Sequence, residues 1–250
     1  MSLYARAIGS NNAHACLRGV AKIKVITWNL GHWQYGSRHN EAWSYLRNEI
    51  RPDLALLQEV SHPKLIAGEY FVLRPVHGNW GTAVYTRNMP TEELAFEGYS
   101  GRVVVAELET STAQKLVVAS VHAPIIDGRV FPYLSEIFGK IEEIASKRSF
   151  VVGGDLNTAR LAETVWPGHG HGPFWERIDA GKSLFFDCHR KFHDVEQQTF
   201  FRPGSRHPFQ DDHLFTSYDL ADRIGFCDVV DNTITRSLSD HIPIIAEINP

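Results

Sequence analysis

Residues 149–157 read Ser-Phe-Val-Val-Gly-Gly-Asp-Leu-Asn, and the rest of the chain is interpreted outward from this stretch. Phe150, Val151 and Val152 form a short apolar run of β-forming residues, which is typical of a strand buried on both faces. Two glycines interrupt the run, and Asp155 and Asn157 follow at alternate positions. Alternate side chains of an extended chain point the same way, so both would reach one point at the strand's carboxyl end, where open α/β sheets bind ligands. The same residues also suit an ordinary turn.

The composition limits the class of protein. The chain has 250 residues, of which 43% are hydrophobic and 22% charged, and its formal net charge is −4. These values are typical of a soluble globular protein, and the acidic balance argues against a protein that coats nucleic acid. No apolar run reaches the roughly 18 residues of a membrane span, so we expect no stable membrane association. We expect residues 1–21 to be a flexible leader and residues 22–250 to form one domain.

The cysteine content indicates the compartment. Cys16, Cys188 and Cys227 are an odd number and have no Cys-x-x-Cys spacing. We therefore expect reduced thiols and a cytoplasmic location. We also expect the protein to be a monomer.

Two places in the chain have the pattern of a strand, a helix and a second strand. A strand at 22–28, a helix at 40–50 and an apolar strand at 54–57 predict a parallel pair with a right-handed crossover. Residues 130–145 carry apolar side chains at three- and four-residue spacing, which predicts a second crossover helix leading into the strand at 150.

The remaining segments are short strands and loops. Five short runs between 70 and 121 look like a meander, and three more strands are expected near 213–216, 224–230 and 242–248. Residues 158–210 are expected to be mainly loop, with one short helix near 174–180. So many strands with few helices predict two packed sheets flanked by helices.

Polar side chains recur where the predicted strands end or begin. Taken singly, each has an ordinary explanation as a turn residue, a surface acid, a half-buried histidine or a cap. Taken together, they would bring carboxylates and imidazoles to one edge, which requires a cation or a role in proton transfer. Oxygen donors without a nearby cysteine suit Mg²⁺ or Mn²⁺. The residues are Asn29, Glu59, His122, Asp155, Asn157, Asp212, Asp240 and His241.

Six motifs at these positions resemble, in order, the motif set of the endonuclease/exonuclease/phosphatase superfamily. They are Thr27-Trp28-Asn29, Leu57-Gln58-Glu59, Ser120-Val121-His122, Gly154-Asp155-Leu156-Asn157, Asp212-His213-Leu214-Phe215 and Ser239-Asp240-His241-Ile242-Pro243. That superfamily includes deoxyribonuclease I-like enzymes, abasic-site endonucleases, sphingomyelinases and inositol polyphosphate phosphatases. The resemblance implies an α/β fold, a four-layer α/β sandwich of two mixed sheets flanked by helices. It also implies metal-dependent cleavage of a phosphoester by a catalytic domain at 22–250.

The resemblance further implies a metal site. Glu59 resembles the main metal-ligand glutamate of the superfamily. Asn29 and Asp240 match the other positions near the ion, which we expect to be Mg²⁺ or Mn²⁺.

The remaining positions resemble catalytic residues. His241 resembles the catalytic histidine, and Asp212 the carboxylate that orients it. Asp155 matches the aspartate that aligns or deprotonates the attacking water, and the sequence leaves open whether Asp155 or His241 is the base. Asn157 matches the amide that binds the scissile phosphate, and His122 the donor to a phosphate oxygen.

The substrate is left open by these motifs. Nine aromatic residues at 158–210 would stack on bases, line an apolar cleft or simply pack. Residues 160–207 hold seven Lys and Arg against six Asp and Glu, so they form no basic stripe. Gln210-Asp211-Asp212-His213 stands where abasic-site endonucleases typically have Arg-Leu-Asp-Tyr, which argues against that subfamily. The loop histidines His169, His171, His189 and His193 lack the spacing of a zinc site, so we expect them to be solvated.

The function that we expect is nucleic-acid phosphodiesterase activity of an endonuclease-like kind. One alternative is a phosphatase or a sphingomyelinase-like phosphodiesterase acting on a small or lipid-derived phosphoester. Another is a non-catalytic binding module that keeps the fold, but such a module would be expected to lose residues such as Glu59 or His241, and both are present.

Overall fold

The computed structural model describes residues 22–202, 204 and 206–250, so the expected leader at 1–21 and Cys16 lie outside it. The strands of the described residues are β1 (Ile23–Asn29), β2 (Leu54–Ser61), β3 (Glu69–His77), β4 (Trp80–Arg87), β5 (Thr91–Leu94), β6 (Val103–Glu109), β7 (Lys115–His122), β8 (Phe150–Asp155), β9 (Phe185–Asp187), β10 (Asp212–Ser217), β11 (Ile224–Val229) and β12 (Ile244–Ile248). The α-helices are α1 (His32–Tyr35), α2 (His39–Tyr45), α3 (Phe131–Ala145), α4 (Arg160–Val165), α5 (His171–Asp179), α6 (Tyr218–Ala221) and α7 (Thr233–Leu238). A π-helical turn at Leu46–Ile50 continues α2, and 3₁₀ turns lie at Gly36–Arg38 and His189–Lys191.

The strands form two mixed six-stranded sheets. The first has the order β11-β12-β1-β2-β4-β3 and the second β5-β6-β7-β8-β10-β9. In each sheet one central pair is parallel, β1 with β2 and β7 with β8. Helix α2 with its π-helical turn joins the first pair and α3 joins the second, which confirms both predicted crossovers.

Apolar side chains fill the space between the sheets and cover both outer faces. The cluster between the sheets includes Val25, Leu56, Val104, Val118 and Leu214. On the outer face of the first sheet, Trp43 and Leu46 of the α2 segment pack with Trp28. On the outer face of the second, Phe138 of α3 and Phe174 of α5 pack with Val152. The predicted four-layer α/β sandwich is therefore confirmed.

Gly154 determines how closely β8 can approach β7. A Cβ atom at Gly154 would lie 1.7 Å from the carbonyl oxygen of Val121, so only glycine permits this approach of β7 and β8. The sequence suggested that the strand breaks at the glycines. Instead, β8 runs through them to Asp155. That run makes Asp155 the direct neighbour of His122 in the sheet.

Two expectations about the elements were wrong. The strands between 70 and 121 do not form one meander, because β3 and β4 pair with the first sheet and β5, β6 and β7 with the second. Residues 158–210 contain two helices and a strand rather than one helix. The sequence did not predict α4 and β9, because they are too short to show a periodic pattern.

No helix in the described ranges is long and apolar enough to cross a membrane. Cys188 and Cys227 are buried free thiols.

Candidate active site

Side chains from both sheets meet at one end of the sandwich. In the first sheet β1 ends at Asn29, and in the second sheet β7 ends at His122 and β8 at Asp155. Antiparallel β10 begins there, with Asp212 paired to Asp155. This arrangement brings together the predicted residues from strands that are far apart in the sequence.

Asp155 lies at the centre of this group. Its Oδ2 accepts a hydrogen bond of 2.9 Å from Asn29 Nδ2 and lies 3.6 Å from Nε2 of both His122 and His241. Its Oδ1 accepts a hydrogen bond of 3.0 Å from the backbone N–H of Asn157. Burial alone would raise the pKa of Asp155, but His241, His122 and these hydrogen bonds bring it below its ordinary value. Asp155 is therefore a carboxylate at neutral pH.

His241 is held by the neighbouring carboxylate of Asp212. Its Nδ1 lies 2.8 Å from Asp212 Oδ2, and both side chains are buried. Burial alone would lower the pKa of His241, but Asp212 and Asp155 raise it well above its ordinary value. The Trp28 indole donates a hydrogen bond of 3.0 Å to the His241 carbonyl, and the Phe200 ring packs 4.7 Å from the imidazole. His241 is thus a fixed imidazolium whose Nε2–H faces Asp155.

His122, the second imidazole beside Asp155, is neutral at neutral pH. Burial lowers the pKa of His122 to about 4, Asp155 opposes this, and the charge of Arg102 adds to it. A guanidinium nitrogen of Arg102 lies 3.2 Å from both ring nitrogens. Arg102 was not among the predicted site residues. The pairing of β6 with the end of β7 brings it to the site.

Glu59 reaches the site because β2 is irregular at this point. The register between β2 and β4 shifts between Leu57 and Val60, and Glu59 has a φ of 47°. The strand continues beyond Glu59 to Ser61, whereas the sequence suggested that it ended near Glu59. The Glu59 carboxylate lies 4.0 Å from His122 Nε2.

Glu59, Asn29 and Asp240 form an acidic, oxygen-rich region beside Asp155. Burial raises the pKa of Glu59, and the charges of Asp155 and Asp240 raise it further. The Asn29 Oδ1 accepts a 2.9 Å hydrogen bond from Gly31 N–H, which leaves one lone pair for another partner. Clustered oxygen donors with excess negative charge fit a hard divalent cation. The side chains therefore fit the ion that the sequence led us to expect.

Asp155, Asp212 and His241 form a second candidate donor set. Donor atoms of these three buried residues lie within 4.8 Å of one another, the one such group of His, Cys, Asp and Glu among the described residues. His241 already makes a hydrogen bond from Nδ1 to Asp212, and its Nε2 lies 3.6 Å from Asp155 Oδ2. A cation at this point would have to displace a proton of His241, so the set around Glu59 offers the better fit.

Asn157 reaches the site by a turn. The sequence suggested that the chain is extended at Asn157. The φ of Asn157 is 50°, so the chain turns there instead. Its Nδ2 donates a hydrogen bond of 2.9 Å to the Ala123 carbonyl, which leaves the second N–H of the amide for a ligand.

Asp211 is another residue that the sequence reasoning did not select. Burial, followed by the charge of Asp155, raises the pKa of Asp211 to about 8. Its position beside Asp212 was the one available signal, since two adjacent acids open β10.

The aromatic and histidine-rich segment is mainly part of the packing. Only Trp166 and Phe192 of its nine aromatic residues are more than a third exposed, at 45% and 42%. The expectation of solvated histidines was wrong for His171 and His189. Both are buried, and each has a hydrogen-bond partner, which is the Thr158 hydroxyl for His171 and the Gln197 side chain for His189.

Comparison with solved structures shows that two AP endonucleases and a 3′ phosphatase have the same fold as this chain. The AP endonuclease LMAP from Leishmania major has a TM-score of 0.70 and 17% identity, with 91% of this chain and 87% of that chain covered. The 3′ phosphatase NExo from Neisseria has a TM-score of 0.68 and 19% identity over 90% of this chain and 99% of that one. An AP endonuclease from Archaeoglobus fulgidus has a TM-score of 0.65 and 20% identity over 90% and 98%.

Sequence comparison gives the family. No curated protein matches the sequence significantly. Residues 26–241 match the Endonuclease/Exonuclease/phosphatase family, and this range contains all eight predicted site residues. The chain therefore belongs to the Endonuclease/Exonuclease/phosphatase family.

Proposed function

We propose that this protein is a divalent-metal-dependent phosphodiesterase that cleaves nucleic acid in an endonuclease-like manner. The observation that carries the proposal is that one buried carboxylate, Asp155, lies 3.6 Å from the Nε2 atoms of two buried imidazoles, His122 and His241. Hydrolysis of a phosphodiester needs an acceptor for the proton of water and donors to the phosphate oxygens. Both are present within 4 Å in this buried group.

Asp155 is the group that receives the proton from water in this proposal. It is a carboxylate, and Asn29 and the Asn157 backbone fix its orientation. His241 is already an imidazolium and has no free nitrogen to accept a proton. The water oxygen forms a bond to phosphorus, and its proton goes to Asp155 and then to solvent. The leaving oxygen takes the electron pair of its bond to phosphorus and is protonated from solvent.

The phosphate oxygens are bound by neighbouring donors. His241 donates from Nε2, and Asp212 holds the imidazole in the charged form. Asn157 contributes its second amide N–H and His122 a ring N–H. As negative charge grows on the phosphate oxygens, these fixed dipoles and the imidazolium stabilise it.

Glu59, Asn29 and Asp240 are the side chains that would hold the cation. A bound Mg²⁺ or Mn²⁺ would supply charge neutralisation at the phosphate and at the leaving oxygen. Glu59 would then be held as a carboxylate in spite of its raised pKa.

The proposal of nucleic acid as the substrate is supported by the fold that this chain shares with the AP endonucleases from Leishmania major and Archaeoglobus fulgidus. The cytoplasmic location and the monomeric state stay predictions.

A substrate panel tests the proposal. Purified protein is incubated with plasmid, single-stranded DNA and RNA, and with inositol phosphates and sphingomyelin vesicles, in Mg²⁺ or in EDTA. We expect Mg²⁺-dependent cleavage of at least one nucleic acid and no cleavage by an Asp155→Ala, His241→Ala double variant. Release of phosphate or of a headgroup while all nucleic acids survive would instead establish the phosphatase or lipid phosphodiesterase alternative.

A further inference from the structure

Two large apolar side chains are exposed next to the candidate active site. Residues 125–129 are all exposed, and within them Ile125 and Ile126 expose 58% and 44% of their surface. Single exposed isoleucines are common on protein surfaces. Two adjacent ones, directly after a buried segment that ends at Pro124, suggest contact with a ligand.

The 125–129 segment is a rigid hairpin. The N–H of Ile126 donates to the Arg129 carbonyl at 3.1 Å, and the N–H of Arg129 donates to the Ile126 carbonyl at 2.9 Å. Asp127 and Gly128 between them have φ values of 51° and 71°, as a two-residue type I′ turn requires. The isoleucines are therefore held in place before any ligand binds, which lowers the entropic cost of using them.

The hairpin is fixed to the catalytic group at its base. The N–H of Ala123 donates to the Asp155 carbonyl at 2.8 Å, and the Ala123 carbonyl accepts the 2.9 Å hydrogen bond from Asn157. Ile125 lies three residues beyond His122, so their Cα atoms are at most about 11 Å apart. A phosphate bound by Asn157 and His122 would thus have the hairpin as an immediate neighbour.

The hairpin also carries a cation. Arg129 is exposed, and its guanidinium makes no hydrogen bond or ion pair with the described part of the chain. Apolar side chains such as isoleucine are used by proteins as wedges between bases, and arginine is a common contact to phosphates. A lipid surface is less well matched, because only two apolar side chains are offered and Asp127 stands beside them.

We infer that the 125–129 hairpin is a specificity element that contacts an unstacked base next to the scissile phosphate. Ile126 contacts the face of the base, and Arg129, which is paired with Ile126 across the hairpin, contacts a neighbouring phosphate. The substrate class is nucleic acid with an unpaired or easily unstacked base at the cleavage position. This inference rests on the proposed function and narrows it.

The test compares a substrate that has bases with one that has none. An Ile125→Ser, Ile126→Ser variant is assayed on a single-stranded oligonucleotide and on bis(4-nitrophenyl) phosphate. We expect the ratio of kcat/KM for the oligonucleotide to kcat/KM for the small diester to fall at least tenfold. An Ile125→Leu, Ile126→Leu variant should keep most of the ratio. Ile66→Ser, at a position that is 63% exposed away from the hairpin, is the matched control and should leave the ratio unchanged.

Each outcome of the test has one meaning. A ratio that stays within twofold of the wild-type value in the serine variant would refute the inference, as would an equal loss on both substrates. If wild type hydrolyses the small diester but no oligonucleotide, the proposed nucleic-acid function itself fails. If wild type sediments with phosphatidylcholine–sphingomyelin vesicles and the serine variant does not, the hairpin binds lipid and the inference is wrong.

Discussion

Replacement of Asp212 by Asn removes the charge that keeps His241 protonated while preserving the size of the side chain. Asp212 Oδ2 lies 2.8 Å from His241 Nδ1, and both residues are buried from water. Without this carboxylate, burial favours the neutral imidazole. Asp212→Asn is therefore expected to lower kcat through loss of the positive charge on the imidazole that donates from Nε2.

The size of the effect follows from the strength of this contact. A hydrogen bond to a charged group contributes about 1.5–3 kcal/mol, and each 1.36 kcal/mol in the activation barrier is tenfold in rate. The expected loss of kcat is thus about 10- to 150-fold. KM should change less, because substrate contacts made by Asn157 and His122 are retained.

Steady-state kinetics on bis(4-nitrophenyl) phosphate measure this loss. Asp231→Asn, which breaks the exposed ion pair with Arg236, is the control for the loss of one negative charge and should keep kcat within twofold. Circular dichroism shows whether each variant is folded. A folded Asp212→Asn protein with kcat within threefold of wild type would refute the role assigned to the pair.

Three further predictions concern stability. Gly154→Ala should lower the free energy of unfolding in denaturant by about 1–3 kcal/mol or more, because its Cβ would lie 1.7 Å from the Val121 carbonyl oxygen. The control is Gly139→Ala in α3, whose Cβ would meet no atom within 4 Å and which should be neutral or stabilising. Burial lowers the pKa of His39 to about 4, so only the unfolded state binds its proton between pH 6.5 and 4; the His39 contribution to stability is full above pH 6.5, and the fall of the unfolding free energy at pH 5.5 should be about 1 kcal/mol smaller in His39→Gln than in wild type. Mg²⁺ or Mn²⁺ at 100 times its dissociation constant should stabilise the protein by about 2.7 kcal/mol, and Glu59→Gln should greatly reduce that gain in a thermal melt.

The fold was predictable because its signals are local. Buried parallel strands are continuous apolar runs, and α3 is long enough to show a full amphipathic pattern. The short elements α4 and β9 were missed, since six and three residues give no period. The assignment of β3 and β4 to one sheet and β5 to the other depends on packing between distant segments, which the sequence of each strand does not encode.

The candidate site was predictable only as a set of strand ends. The sequence placed Asn29, His122 and Asp155 at the ends of strands. The parallel pairing of β7 with β8 brings His122 to Asp155, and the packing of the two sheets brings Asn29 to Asp155. The sequence showed no sign of the bulge that turns Glu59 toward the site, because that irregularity lies in the pairing of β2 with β4. Arg102 was missed for a similar reason, since its contact with His122 depends on the pairing of β6 with β7.

The most direct test of the account is the rate of bis(4-nitrophenyl) phosphate hydrolysis in Mg²⁺ and in EDTA, by wild type and by the Asp155→Ala, His241→Ala variant. This substrate reports the chemistry of the site without the contribution of bases or lipids. We expect hydrolysis by wild type in Mg²⁺ alone, and a rate at least about a thousandfold lower for the folded variant. Equal rates for wild type and the variant, or a wild-type rate that EDTA leaves unchanged, would contradict the claim that these residues form a metal-dependent phosphodiesterase site.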